Sequence, residues 1–261
     1  MNQTETVTST ANETVKHLAR LARDSALRRE ERCFLTEGDK LTEHAISAGC
    51  SCRMLCSTDG VFPSGAESGR RLILSPRCAE KISVMANAPS VFGVFSLPED
   101  RRARFEAPGR FLALEGVQDP GNIGTILRTA LAFGADGVIT DRLCGDLFSP
   151  KALRASMGAA LNLPVLLTES MPDALNDLKR RGCRLFATAL TDRAVLLPDV
   201  QVPESFVLAV GNEGHGLSDE ALALADETVL IPMSGAIQSL NAATAAAVAL
   251  YEFFVRGGVE R

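Results

Sequence analysis

Three stretches place glycines beside side chains that can bind or react. The first is Asp119-Pro120-Gly121-Asn122-Ile123-Gly124-Thr125-Ile126-Leu127-Arg128-Thr129-Ala130. The second is Val210-Gly211-Asn212-Glu213-Gly214-His215-Gly216-Leu217-Ser218, and the third runs from Ile231-Pro232-Met233-Ser234-Gly235 to Ser239-Leu240-Asn241-Ala242-Ala243. Each follows an apolar, strand-like run. In open α/β sheets that carboxyl end is where ligands bind. Glycine lets backbone approach a ligand closely, and the amide groups at a helix start attract anions. Two common nucleotide signatures are absent. Gly211-x2-Gly214-x-Gly216 lacks the Gly-x-Gly-x-x-Gly spacing of dinucleotide folds, and no Gly-x4-Gly-Lys-Ser/Thr occurs.

The elements around these loops alternate regularly. Strands are expected at Phe111–Leu114, Gly137–Thr140, Leu163–Leu167, Arg184–Ala189, Phe206–Val210 and Thr228–Ile231. Helices are expected near Asn122–Phe133, Pro150–Met157, Pro172–Arg181, Ser218–Ala225 and Ser239–Val255, with Ser149-Pro150 and Leu217-Ser218 as helix starts. Near-continuous apolar strands between helices predict a parallel sheet covered on both faces. Upstream, residues 12–32 read as one basic helical stretch with Val15, Leu18, Leu21, Ala22 and Leu27 as its apolar face. A strand at Phe34–Gly38, a helix over Asp39–Ala48, further short strands and a helix after Ser75-Pro76 complete a small α/β module. The expected organisation is a disordered 1–11, a module over 12–98, a linker at 99–107 and a larger α/β domain over 108–261. The linker rests on six charges among the eleven residues Leu97–Ala107.

Composition bounds the class. The 261 residues are 46% hydrophobic and 23% charged, ordinary values for a globular chain. Net charge is −5, which excludes a uniformly basic nucleic-acid coat. The charge is uneven, because residues 1–106 carry 15 basic and 14 acidic side chains and the remainder 12 and 18. Six of the basic ones, Lys16, Arg20, Arg23, Arg28, Arg29 and Arg32, fall within seventeen residues. The polar opening residues hold no secretory signal, so a cytoplasmic location with reduced thiols is expected for the seven cysteines. Cys50-x-Cys52-x3-Cys56 with His44 does not match the usual paired zinc spacing, so no metal is expected. Ala242–Val255 is shorter than the ~20 residues a bilayer requires, so no membrane partner is expected.

Together and in this order, the three loops resemble the motifs of the SpoU (TrmH-type) branch of the SPOUT RNA methyltransferases. The resemblance spans roughly Phe111 to Val255. The preceding module, with Asn12, Val15-Lys16, Arg20 and Phe34-Leu35-Thr36-Glu37-Gly38, is similar to the ribosomal-protein-like substrate-binding domain many members carry. One departure is Ala242, where members often have Val. The resemblance implies a fold that periodicity alone does not: a parallel-sheet SPOUT domain with a deep trefoil knot, acting as a homodimer. It implies transfer of a methyl group from S-adenosylmethionine to a ribose 2′-hydroxyl, with ribosomal RNA the expected substrate. Transfer RNA, or RNA binding without catalysis, are the alternatives.

The resemblance also assigns roles. Arg128, Asn122, Glu213, Ser239 and Asn241 match its catalytic positions, and Gly211, Ile231, Leu240 and Leu190 its cofactor positions. A free guanidinium is practically never deprotonated, which favours Arg128 gripping a phosphate and stabilising the alkoxide over removing a proton. His215 matches a variable position and is set aside. Lys16, Arg20, Arg28, Arg29 and Arg32 are expected to meet RNA.

Overall fold

The computed structural model describes residues 4–66, 69–98, 102–191, 193–212, 214–234 and 239–256. In chain order the elements are β1 (Thr4–Val7), α1 (Glu13–Arg23), α2 (Ser25–Glu30), β2 (Cys33–Glu37), α3 (Asp39–Ser47), β3 (Cys52–Ser57), β4 (Arg70–Leu74), α4 (Pro76–Ile82) and β5 (Val91–Ser96). There follow β6 (Arg110–Leu114), α5 (Pro120–Ala132), β7 (Gly137–Asp141), α6 (Pro150–Ala155), α7 (Ala159–Asn162), β8 (Val165–Thr168) and α8 (Met171–Arg180). The last are β9 (Arg184–Thr188), β10 (Val195–Leu196), β11 (Phe206–Val210), α9 (Asp219–Leu224), β12 (Glu227–Leu230) and α10 (Ala242–Tyr251), which runs into a π-helical turn, Glu252–Arg256.

The chain packs as two compact units, Met1–Glu99 with Asp146–Leu161, and Asp100–Gly145 with Asn162–Arg261. The chain therefore passes between units near residue 99 and again on both sides of Asp146–Leu161. In the first unit the sheet order is β1-β4-β3-β5-β2, with β2 and β3 antiparallel to β5 and the other pairs parallel. Thr4–Val7, expected to be disordered, instead forms the edge strand β1, hydrogen-bonded alongside Arg71–Leu74. A polar edge strand lacks the alternating apolar signal that marks a strand in sequence.

The basic stretch 12–32 is two helices, not one. Asp24 interrupts it in an extended conformation and caps α2, its carboxylate accepting from the amides of Ala26 and Leu27 at 2.9 and 3.1 Å. A side chain that satisfies orphan amides is a strong helix start, and it prevails here over helical periodicity. Val15, Leu18, Leu21 and Ala22 of α1 are buried, as the periodicity predicts.

Residues 146–161 belong to the first unit through specific contacts. Arg28 Nε donates to Asp146 at 2.6 Å, the rings of Phe34 and Phe148 lie 5.8 Å apart, and Arg154 stands 3.6 Å from the buried carboxylate of Glu37. Ser83 and the Val84 amide also bind that carboxylate, at 2.8 and 3.0 Å. A Cβ on Gly158 would lie 2.5 Å from the His44 ring, so only glycine fits there.

In the second unit every strand pair is parallel, in the order β10-β12-β9-β11-β6-β7-β8. The chain enters at β6, moves outward to β8, then crosses to β9 on the far side of β11, creating the reversal of strand order beside which ligands bind. β7 and β11 are buried along their whole length, as their apolar runs predict. Phe105, within the stretch read as a linker, is buried and stacks on Phe111 at 5.1 Å. Phe253 and Phe254 of the final turn lie 5.3 and 4.9 Å from Phe206, fastening the chain's end to the core.

Candidate active site

A cavity of about 420 Å³ opens at the carboxyl ends of β9, β11 and β12, entirely within the second unit. Gly211, Ile231, Leu240 and Leu190, the four expected cofactor positions, all line it. Leu190 is 70% exposed, so a large apolar side chain stands at the rim with little covering it. Thr191, His215 and Ser239 add polar groups to a mainly apolar wall. His215, set aside in the sequence reading, is therefore a lining residue.

Three hydrogen-bonded frames hold the loops. Asn212 pairs with Gly216 through both backbone bonds, at 3.0 and 2.9 Å. Its side chain donates to the Gly116 carbonyl at 2.8 Å and accepts from the Gly214 and His215 amides at 2.8 and 3.2 Å. Gly211 is obligatory: a Cβ there would lie 2.2 Å from the Gly216 carbonyl carbon. Nearby, Glu115 accepts from the Ser218 amide and hydroxyl, both at 2.8 Å, while Ser218 caps α9. The buried Asp141 carboxylate receives the Gly116, Leu143 and Cys144 amides. Sequence reasoning missed Glu115, Asn212 and Asp141. Each is a polar residue at or just beyond a strand's carboxyl end, and that position is the only signal that could have marked them.

Of the five residues expected to be catalytic, two meet directly. Asn241 Nδ2 donates to Asn122 Oδ1 at 3.1 Å, joining the first loop to the third. The same Asn241 caps α10, its side-chain Oδ1 accepting from the Ala243 and Thr244 amides, so one side chain both starts the helix and reaches Asn122. Asn122 does not cap α5; Asp119 does, through the Gly121 and Asn122 amides. Arg128 lies on α5 six residues after Asn122, about 9 Å along the axis. It is exposed, does not line the cavity, and its guanidinium makes no hydrogen bond or ion pair among the described residues. Glu213 and residues 235–238 of the third loop lie outside the described residues.

Matches to known proteins follow this geometry. Residues 109–251 match the model of the SpoU rRNA Methylase family, more than half the chain. The chain belongs to the SpoU rRNA methylase family. Residues 12–93 match the MRM3-like substrate binding domain. A 23S rRNA (guanosine(2553)-2′-O)-methyltransferase, RlmP of Bacillus subtilis, is 34% identical over 86% of this chain and 89% of its own length. The AdoMet-bound rRNA methyltransferase from Sinorhizobium meliloti superposes with a TM-score of 0.85 at 30% identity, covering 95% of this chain and 97% of its own. A TrmH/SpoU tRNA modifying enzyme from A. aeolicus superposes with a TM-score of 0.51 at 26% identity, covering 60% of this chain and 79% of its own.

Of the residues expected to meet RNA, Lys16, Arg20, Arg29 and Arg32 are exposed on the first unit of this SpoU family member. Arg28 is not. It is 3% exposed, ion-paired to Asp146, and donates a second bond to the Leu21 carbonyl. A local run of basic residues does not reveal that one of them faces inward to an acid 118 residues away. Among the described residues no group of three His, Cys, Asp or Glu gathers as a metal site, and no helix is long and apolar enough to cross a membrane.

Proposed function

We propose that the protein is an S-adenosylmethionine-dependent methyltransferase that methylates a ribose 2′-hydroxyl in ribosomal RNA. The observation that carries this reading is the direct Asn241–Asn122 bond beside a cavity lined by Gly211, Ile231 and Leu240, with the Arg128 guanidinium uncommitted on the same helix as Asn122. The cavity fits an adenine nucleoside: mostly apolar, with a few placed polar groups and an approachable glycine backbone. Gly211, Leu240 and Ile231 hold the adenine end of the cofactor, and Leu190 closes the rim.

S-Adenosylmethionine supplies an electrophilic methyl group on a sulfonium. The chain's own residues must then orient and activate a poor nucleophile. Arg128, permanently charged, grips the phosphate beside the target ribose and stabilises negative charge on its 2′-oxygen. Asn122 and Ser239 orient the hydroxyl and Asn241 fixes Asn122; Glu213, the remaining position that the resemblance assigns, lies outside the described residues. Ribosomal RNA is favoured over transfer RNA because the rRNA methyltransferase neighbour spans 95% of this chain, including the first unit, whereas the tRNA enzyme spans 60%. A trefoil knot through the segment after β12, a cytoplasmic location and a homodimer complete the reading. The dimer is supported by Leu131, Val248 and Tyr251, which leave apolar surface 38–44% exposed on α5 and α10.

The test is transfer of labelled methyl groups from S-adenosylmethionine to unmodified rRNA transcripts, with tRNA transcripts in parallel. Label recovered as 2′-O-methylnucleoside from rRNA supports the reading. Label only in tRNA, or none with the cofactor bound, overturns it.

A further inference from the structure

In the first unit α1 packs against α4, and the two flank an open groove of about 830 Å³. Lys16, Arg20 and Arg23 of α1 line one side, at the i, i+4, i+7 spacing of a single helix face, and Lys81 of α4 lines the other. Small residues, Ala19 and Ser25, leave the groove open between them. The one acid in the lining, Asp24, is turned onto its own helix start, where the Leu27 and Ala26 amides both bond its Oδ1, and its charge also acts on Arg20.

The four cations differ in what they already hold. Arg23 is fixed: it donates to the Lys81, Ile82 and Ser83 carbonyls at 3.3, 3.0 and 2.7 Å and so caps α4 from across the groove. Lys16 and Lys81 hold weak exposed partners, Glu13 and the Thr10 carbonyl, each at 2.7 Å. Arg20 is exposed, and its guanidinium makes no hydrogen bond or ion pair among the described residues. A guanidinium held in solvent beside two ammonium groups, over a floor without bulky side chains, suits bidentate binding of a phosphodiester.

We infer that this groove seats the sugar–phosphate backbone of the RNA substrate, with Arg20 as the principal phosphate contact, Lys16 and Lys81 flanking it, and Arg23 fixing the groove's width. The inference rests on the reading of the chain as an RNA methyltransferase. It adds Lys81, 61 positions from Arg20 in sequence and absent from any basic run, and it excludes Arg28.

The test uses the full-length protein and unmodified large-subunit rRNA transcript, with affinity measured across a series of KCl concentrations. Arg20→Glu and Lys81→Glu are compared with Arg180→Glu, an equal charge change on α8 in the second unit. Each groove variant is expected to bind at least ~10-fold more weakly, with a log–log salt slope shallower by about 0.7–0.9 per lost phosphate contact. Calorimetry with S-adenosylmethionine and the melting temperature should stay at wild-type values in both. Groove variants that bind rRNA as tightly and as salt-dependently as wild type, in a protein that still methylates rRNA, overturn the groove and leave the proposed function intact. An equal loss in Arg180→Glu also overturns it, since the effect is then net charge alone. A wild-type protein that methylates no RNA overturns the proposed function instead, whatever the groove variants do.

Discussion

Replacing Arg28 by Met should destabilise the fold rather than remove an RNA contact. The guanidinium is buried, with its side chain 4% exposed and its partner Asp146 only 15% exposed. Methionine retains most of the apolar stem, so the perturbation isolates the charge. What remains is a carboxylate in poor contact with water, holding one amide bond, from Phe148 at 2.9 Å, and a Leu21 carbonyl without its guanidinium partner. Breaking a buried pair from one side costs about 3–5 kcal/mol, because the surviving charge is left uncompensated. A loss of that size lowers the melting temperature by about 6–20 °C in a chain of this length. Asp146→Asn should cost less, and the double variant should recover part of the loss, with a coupling energy above about 1 kcal/mol. Thermal melts followed by circular dichroism, with urea titrations at constant temperature, read all three variants. An Arg28→Met protein that melts within about 2 °C of wild type, yet binds RNA more weakly with a shallower salt slope, would refute the reasoning and return Arg28 to the surface. The same pair means that a cut near residue 106 is not clean. It separates Arg28 from Asp146, and both fragments should aggregate where the intact chain does not.

Three further outcomes follow from the site and the core. Arg128→Ala should cut kcat for methyl transfer at least ~100-fold while the calorimetric Kd for S-adenosylmethionine changes less than about threefold, because the side chain stands outside the cavity; near-wild-type turnover would contradict its role. Gly211→Ala forces a Cβ to within 2.2 Å of the Gly216 backbone, so cofactor affinity should fall at least ~10-fold by calorimetry, and an unchanged Kd would show that the loop yields freely. Burial pushes the Cys56 and Cys144 thiols up to about 12, with the Asp141 carboxylate adding to the shift at Cys144. The folded state holds these protons longer than the unfolded chain does, so their contribution is complete below about pH 9 and falls by about 1.4 kcal/mol per pH unit for each thiol above it. Urea titrations at pH 8, 9 and 10 should show a loss in Cys56→Ala that is smaller than in wild type by one thiol's share, about 1.4 kcal/mol per pH unit; equal slopes would refute it.

Where a sequence signal is local, the chain could be read closely. Ser75, Ser149 and Ser218 each precede a helix and cap it through their hydroxyls, as Ser-Pro and Leu-Ser boundaries suggest. Apolar runs gave β6, β7 and β11 nearly to the residue, because strands buried on both faces leave no room for polar side chains. Part of the cavity wall was legible too: Gly211, Ile231, Leu240 and Leu190, singled out through the family resemblance, all line it. What was not legible depends on partners distant in sequence. Nothing in Asp146–Leu161 announces that it packs with the first unit, since an amphipathic helix records that it has a partner and not which one. Arg28 looks like its neighbours until Asp146 is placed beside it. Short polar strands such as β1, and the two-residue β10, are set by their neighbours' free edges and carry almost no pattern of their own.

The central claim is that this protein methylates ribose in ribosomal RNA, and mapping 2′-O-methyl groups across the rRNA of its source cells, with and without the gene, addresses it most directly. One nucleotide, methylated in the parent, should lose its mark in the deletion strain, regain it when the wild-type gene is restored, and stay unmethylated with Arg128→Ala. An rRNA methylation map identical in all four strains would contradict the account.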